Sequence, residues 1–154
     1  MRRQATIVAA AVSAALLTGG VMVGGARAAA ALKPAASIAK SADGHFWAEA
    51  EVNGETVRVL VDTGASAVAL TPADARRLGL DPDRLLYTRQ ITTAGGGVRA
   101  APVELDHVTV GGARVEHVSA LVVDKGLSAS LLGMSYLGRL SGFAADRGAL
   151  VLKR

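Results

Sequence analysis

Short segments in which hydrophobic and polar residues alternate begin near residue 45. Every second residue of 46–52 is apolar, and residues 57–61 resume the alternation after the pair Asn53-Gly54. A period of two is typical of a β-strand with one buried face, and Asn-Gly between two such segments favours a tight hairpin. The pattern therefore predicts a hairpin whose second strand ends at Asp62.

Further segments of the same kind follow at close spacing. They are residues 85–93 and 98–103 around Ala94-Gly95-Gly96-Gly97, residues 104–110 and 115–123 around Gly111-Gly112, and a last hairpin over residues 143–152 that turns near Arg147-Gly148. Short, closely spaced strands are typical of sandwiches and barrels. We therefore expect a mostly β domain, a closed or nearly closed barrel.

Two short helices are predicted between these strands. Thr71 suits an N-cap, Pro72 the first helical position and Gly79 a left-handed stop, so the first helix should cover residues 72–78. The second candidate covers residues 135–140. We assign the first helix a scaffold role.

The first residues differ in composition from the rest. A short basic start is followed by an uncharged stretch over residues 5–26, and Ala26-Arg27-Ala28 has the small-x-small form of a leader-peptidase site. An uncharged stretch of this length is also compatible with a membrane-spanning helix. The domains expected are a signal peptide or membrane anchor at 1–28, a linker at 29–42 and a folded domain at 43–154. A signal peptide and a membrane anchor both imply export to the periplasm or cell envelope. The domain would be soluble after cleavage, or anchored in the inner membrane by residues 5–26.

Charge argues against a nucleic-acid partner. The formal net charge is +4, but removing Arg2, Arg3 and Arg27 from the 17 basic residues leaves 14 against 13 acidic ones. No basic block remains, and Arg76-Arg77 is a pair on a short helix rather than a patch. The chain also has no cysteine, so its stability outside the cytoplasm must come without disulfides.

Asp62 is the candidate catalytic residue. It follows the apolar residues Val59, Leu60 and Val61 and enters a turn that contains Gly64. A partly buried carboxylate is costly unless it is paired or hydrogen-bonded, although an aspartate in a turn can simply bond to its own backbone. Peptide hydrolysis requires an activated water and a proton donor, and two carboxyls that share one proton supply both.

The residues Val61-Asp62-Thr63-Gly64-Ala65-Ser66, the glycine-tipped hairpin at 94–97 and Leu131-Leu132-Gly133 resemble the retropepsin-like aspartic proteases. The similarity is greatest to bacterial single-lobe members with an N-terminal membrane-targeting segment, and it extends from near Asp43 to the C-terminus. It implies a single-lobe, retropepsin-like closed β-barrel with one or two short helices. The activity implied is that of an aspartic endopeptidase that hydrolyses peptide bonds with no cofactor.

A second copy of the chain is expected to complete the site. The chain is too short for two lobes and has one Asp-Thr-Gly, so the second carboxyl must come from Asp62 of another copy across a two-fold axis. The expected partners are thus a homodimer mate and a peptide or protein substrate. A membrane is expected as a partner only through the N-terminal segment, if it is retained.

The resemblance also implies roles for the surrounding residues. Thr63 would hydrogen-bond across the dimer axis, Ser66 would contact the substrate main chain, and Ala65 matches the dimeric branch of the family. Ala94, Gly95, Gly96 and Gly97 would form a flap, and Leu131, Leu132 and Gly133 would support the active-site loop from beneath. Gly64 would allow the tight turn. A plain mobile hairpin at 94–97 and a simple turn role for Ser66 stay open.

The sequence allows three other interpretations. A non-catalytic module of the same fold, which binds peptides or dimerises in the cell envelope, is the alternative function. His45, His107 and His117 suggest a metal, but their spacing does not aim the rings at one point, so no metal is expected. Ser128, Ser130 and Ser135 lack a Gly-x-Ser-x-Gly elbow, which argues against a serine nucleophile.

Overall fold

The fold is a closed β-barrel with a small three-stranded sheet, seen in a computed structural model that describes residues 34–93 and 95–154. The strands are β1 (Pro34–Ala39), β2 (Trp47–Val52), β3 (Glu55–Val61), β4 (Val68–Leu70), β5 (Arg89–Thr93), β6 (Gly96–Val110), β7 (Ala113–Val123), β8 (Ser130–Leu132), β9 (Gly142–Ala145) and β10 (Ala149–Lys153). The helices in these residues are α1 (Pro72–Arg77), α2 (Met134–Leu137) and a 3-10 turn at Pro82–Arg84. The predicted mostly β class is confirmed.

Six strands form the barrel in the order β2-β3-β8-β4-β7-β6. The ring closes because β6 also pairs with β2, at Glu51 with Thr109 and at Val52 with Val108. Closure leaves no free edge between these strands. β5 extends from the ring as the partner of β6, so these two strands form a hairpin that projects from the barrel.

Glycine-rich turns set the register of two hairpins. Val52 pairs with Glu55 across Asn53 and Gly54, whose φ angles are 50° and 90°. Val110 pairs with Ala113 across two further glycines whose φ angles are also positive. Two-residue turns with positive φ match the twist of antiparallel strands, which confirms the hairpin predicted from Asn-Gly.

Helix α1 has the predicted ends. The Thr71 side chain accepts a hydrogen bond from the Asp74 N–H, and Pro72 is the first helical residue. Gly79 adopts φ +77°, and the Leu80 N–H donates to the carbonyl of Ala75 at 3.0 Å, which ends the helix in the left-handed manner expected.

Two strand boundaries differ from the prediction. The residues expected as separate strands at 98–103 and 104–110 form the single strand β6, which bends over the barrel without a break. The strand expected over 85–93 begins only at Arg89. Residues 85–88 have strand-like composition, but no paired strand lies beside them in the described chain, and hydrogen-bonded neighbours decide strand formation.

Residues 34–39 are not a linker, so the expectation for that part of 29–42 was wrong. They form β1, which pairs with β10 from Pro34–Lys153 to Ala39–Ala149 in the sheet β1-β10-β9. Ile38 is buried in the main core. The strand escaped detection because its pairing partner lies at the other end of the chain, and an Ala-rich segment has little β-propensity of its own.

Some expectations lie outside the described residues. These are the signal peptide or anchor at 1–28, the first part of the linker and the flap residue Ala94. In the described part of the chain, no helix has the length and apolar character needed to cross a bilayer.

Strand β1 should contribute measurably to stability. We expect Ile38→Ala to lower the free energy of unfolding by about 2–4 kcal/mol, because it removes a buried side chain from the core. Ser37→Ala, at the exposed neighbouring position, should change it by less than about 0.5 kcal/mol. Urea unfolding of both variants at equal protein concentration measures the difference. Equal small effects would show that β1 does not pack on the core in solution.

Candidate active site

The parallel pairing of β3 with β8 places the candidate catalytic loop beside the Leu-Leu-Gly segment. Val59, Leu60 and Val61 pair with Ser130, Leu131 and Leu132 in register. The pairing continues one step past β3, where the Asp62 N–H donates to the carbonyl of Leu132 at 3.1 Å. Two segments that lie about seventy residues apart in the sequence thus end side by side.

The loop after β3 folds tightly around the Asp62 carboxylate. The Gly64 N–H donates to Asp62 Oδ1 at 2.8 Å, and the Ala65 N–H donates to the Asp62 carbonyl at 3.2 Å. A Cβ on Gly64 would lie 3.2 Å from the same Oδ1. The missing side chain therefore allows the amide to approach the carboxylate.

Gly133 supports this loop from beneath. The Met134 N–H donates to the Ala65 carbonyl at 2.8 Å, and the Val68 N–H donates to Ser135 Oγ at 2.9 Å. A Cβ on Gly133 would lie 2.7 Å from the Ala65 oxygen and closer still to the Ala67 carbonyl. No side chain fits at this position while the loop keeps its shape.

Asp62 is half-buried and lines a groove of about 510 Å³. Its apolar walls come from four sources: β5, β7, β8 and the loop after β7. The side chains are those of Ile91, Leu121, Val123, Leu127 and Leu131. Among the described residues that line the groove, Asp62 is the only carboxylate.

The predicted site residues occupy different parts of this groove. Gly64, Ala65 and Ser66 line it together with Asp62, whereas Thr63 is exposed outside its lining. Leu131 is part of the groove wall, whereas Leu132 is fully buried behind the loop.

The β5–β6 hairpin reaches over the same groove. Gly95 and Thr93 line it, and the Gly95 N–H donates to Thr93 Oγ1 at 3.2 Å. Thr93 Oγ1 in turn donates to the Gly96 carbonyl at 3.0 Å, and Gly96 has φ +107°. The tip is therefore a turn organised by a threonine. Gly96 and Gly97 are exposed and do not line the groove.

Where the hairpin joins the barrel, a small polar cluster lies beside Tyr87. Burial raises the pKa of the Tyr87 phenol above its ordinary value, and the negative charge of Asp124 raises it further. The Arg99 guanidinium lies 6.0 Å from the centre of the Tyr87 ring and pairs with Asp124.

The histidines do not gather into a metal site. His107 Nε2 lies 2.7 Å from Glu51 Oε1, and His117 Nδ1 lies 3.2 Å from Glu104 Oε1. In residues 34–93 and 95–154, no group of three or more potential metal ligands comes together.

The serines mostly serve the scaffold. Ser130 is fully buried; its Oγ donates to Asp74 Oδ2 at 2.6 Å and accepts from the Thr71 N–H at 3.0 Å. Ser135 accepts the Val68 N–H, as described above. Ser128 lies on the groove wall.

Several groove residues were not singled out in the sequence. They include Ala67, Ala69, Thr92, Thr93, Gly126, Leu127 and Ala129. Thr93 directly precedes the glycine-rich tip, and threonine is a frequent turn residue, which is a weak signal. For Leu127 no local signal exists, because only the path of the loop after β7 brings it to the groove.

The chain matches a family described as "gag-polyprotein putative aspartyl protease" over residues 48–139. Together with the closed barrel and the Asp62 loop, this match shows that the chain belongs to the retropepsin-like aspartic protease family. The resemblance found in the sequence is confirmed.

Solved structures of similar fold include a retropepsin-like aspartic protease from Rickettsia conorii. It is 44% identical, has a TM-score of 0.70, and the match covers 76% of this chain and 97% of that chain. The EIAV protease, solved with an inhibitor, has a TM-score of 0.56 over 69% of this chain and 97% of its own, at 24% identity. At that identity the EIAV protease shows the fold alone.

Two curated relatives are longer proteins. An uncharacterized protein of Rickettsia prowazekii (strain Madrid E) is 45% identical over 115 residues, which is 75% of this chain and 49% of that protein. A Sinorhizobium protein encoded in the cobV 5′ region is 45% identical over 102 residues, which is 66% of this chain and 44% of that protein. The chain thus spans about half the length, or slightly less, of these relatives.

Gly133 offers a direct test of the support beneath the loop. We expect Gly133→Ala to lower the free energy of unfolding by about 3 kcal/mol, because the added methyl group overlaps backbone oxygens that cannot move independently. Gly142→Ala is the matched control, since its Cβ would meet only Lys153 Cδ at 3.9 Å. Chemical unfolding of both variants checks the difference. A tolerated alanine at 133 would mean that the loop is not held against it.

Proposed function

We propose that the protein is an aspartic endopeptidase in which the Asp62 carboxyls of two copies activate a water molecule. The observation that carries the proposal is the half-buried Asp62, held by a backbone amide in the lining of an apolar groove. Membership of the retropepsin-like family supports it.

The chemistry requires two carboxyls in contact. Two like charges at short distance repel each other strongly, so the proposed pair would hold one proton between the two carboxyls. The ionised partner accepts a proton from water as it attacks the peptide carbonyl, and the protonated partner donates its proton to the carbonyl oxygen, which gives a diol. As the C–N bond breaks, the first carboxyl donates the proton that it took from water to the leaving amine, and the second carboxylate takes a proton back from the diol, so the pair again holds one proton. The apolar groove excludes bulk water and positions the peptide.

A homodimer supplies the second carboxyl. The described groove lining contains one carboxylate, and the family match includes one Asp-Thr-Gly. A two-fold axis near the exposed Thr63 would bring both Asp62 loops together and let the threonines bond across it. The groove of each copy would then form half of one continuous peptide site.

The surrounding residues would bind the peptide main chain and cover it. Ser66 lies on the groove lining close to Asp62, where its hydroxyl can bond to substrate. The β5–β6 hairpin would act as the flap, because Thr93 and Gly95 already face the groove. Leu132 and Gly133 would keep the loop in shape without touching substrate.

Removal of the Asp62 charge tests the activity. With purified chain and an unstructured protein as substrate at pH 3 to 7, we expect Asp62→Asn to lower the hydrolysis rate by about 10²–10⁴-fold, because the pair loses its proton acceptor. Far-UV circular dichroism should match the wild type, since an asparagine oxygen can still accept from Gly64. Equal activity of the two proteins would rule out the assignment.

Mixing experiments extend this test to the dimer. Excess Asp62→Asn chain should lower wild-type activity by forming mixed dimers, while excess Glu116→Gln chain, altered at an exposed position, should not. If the wild-type protein is strictly monomeric and never hydrolyses peptide, the chain is instead a peptide-binding module of the same fold.

We also propose that the domain acts outside the cytoplasm. The support is the basic start, the uncharged stretch and the small-x-small site within residues 1–28. The domain would work in the periplasm or cell envelope, released by cleavage or tethered to the inner membrane.

Fractionation of bacteria that express the chain tests the export. We expect the protein outside the cytoplasm, either as residues 29–154 by intact mass or as the whole chain in the membrane fraction. A chain without residues 1–28 serves as the control and should stay in the cytoplasm. Cytoplasmic retention of the full chain would contradict the proposal.

A further inference from the structure

We propose that Asp124 is a positioning residue that fixes the β5–β6 hairpin against the wall of the groove, and so sets how tightly peptide is held. The part that concerns peptide rests on the proposed function. The positioning itself is a property of the fold and can be measured without any substrate.

The hairpin leaves the barrel at Arg99. Ala100 pairs with Val123 at the end of the β6–β7 ladder, while residues 96–98 of β6 pair only with β5 in the described structure. One further backbone bond follows, from the Asp124 N–H to the Arg99 carbonyl at 2.9 Å. Beyond Ala100, the described backbone of the hairpin is therefore hydrogen-bonded to the barrel through one pair of residues, Arg99 and Asp124.

The Asp124 carboxylate completes this junction. The Arg99 N–H donates to Asp124 Oδ1 at 3.2 Å, in the place where a regular ladder would offer a backbone carbonyl. Arg99 Nε donates to Asp124 Oδ2 at 3.4 Å. The Asp124 side chain is 18% exposed and that of Arg99 is 69% exposed.

These two contacts differ in strength. An exposed ion pair such as Arg99 Nε with Asp124 contributes little, because solvent screens it. A backbone N–H that donates to a largely buried carboxylate forms a charge-assisted bond, which is stronger than a bond between neutral groups. The carboxylate, rather than the guanidinium, should hold the hairpin.

Asp124 also directly precedes the loop that forms part of the groove wall. Residues 126–129 of the loop that follows it line the groove. Gly126 has φ +83°, and a Cβ there would lie 3.4 Å from Val98 Cγ1 at the base of the hairpin. The wall and the hairpin base are thus packed together directly after the Asp124 contact, so a shift in one must move the other.

Hydrogen exchange of the hairpin amides tests the positioning without substrate. In Asp124→Ala we expect the amides of residues 91–98 to exchange at least about tenfold faster than in the wild type, the factor expected when a charge-assisted bond is lost. Asp124→Asn keeps an oxygen acceptor and should retain most of the protection. Arg99→Gln should have the smallest effect.

Peptide kinetics test the consequence for binding. We expect Asp124→Ala to raise KM about fivefold while kcat stays within about twofold, because the hairpin binds peptide without taking part in bond cleavage. Glu116→Gln, which removes an exposed carboxylate far from the junction, should match the wild type in both KM and exchange.

The outcomes separate the two proposals. If no variant and no wild-type protein hydrolyses peptide, the proposed function fails, and the exchange data still decide the role of Asp124. Unchanged exchange of residues 91–98 in Asp124→Ala would overturn the inference. Faster exchange throughout the barrel would also overturn the inference, since Asp124 would then support the stability of the whole domain. If Asp124→Ala does not fold, the comparison of Asp124→Asn with Arg99→Gln provides the same test.

Discussion

The close contact between Gly133 and the carbonyl oxygens of Ala65 and Ala67 is the constraint on which the site depends. It exists because β3 and β8 run parallel and end together, so the segments that follow the two strands come into direct backbone contact. A loop supported in this way can hold the Asp62 carboxylate against the Gly64 amide without flexible side chains. Placement by backbone contacts is rigid, and the proposed pair of carboxyls would require such rigidity.

Buried polar contacts connect the supported loop to the rest of the scaffold. Ser130, at the start of β8, joins the N-terminus of α1 through Asp74 and the Thr71 amide. A hydroxyl in the core is favourable only when it is bonded, and Ser130 both donates and accepts. Helix α1, to which the sequence assigned a scaffold role, therefore anchors the strand that leads to Leu132 and Gly133. Asp124 lies in a similar way between the end of β7 and the loop that lines the groove, and it accepts a hydrogen bond from the Arg99 N–H.

Local chemistry made several elements predictable. Asn53-Gly54 specified a two-residue hairpin because both residues accept positive φ, and Thr71, Pro72 and Gly79 marked the ends of α1 because each meets a local backbone requirement. Non-local pairing was not predictable in the same way. β1 has a weak pattern and a partner more than a hundred positions away. Residues 85–88 resemble a strand in composition, although no strand within the described residues pairs with them.

The sequence by itself determined the class of fold, the short turns and the candidate acid, since strand alternation and turn residues act over a few positions of chain. Only the tertiary structure decided which side chains meet around Asp62. In the tertiary structure, Leu131 lies on the groove wall and Leu132 lies behind the loop. Ile91, Leu121 and Val123 line the groove, whereas Val98 packs at the base of the hairpin. The physical reason is that a groove forms between strands and loops that are distant in sequence, and their relative placement follows from sheet closure and close packing rather than from any local pattern.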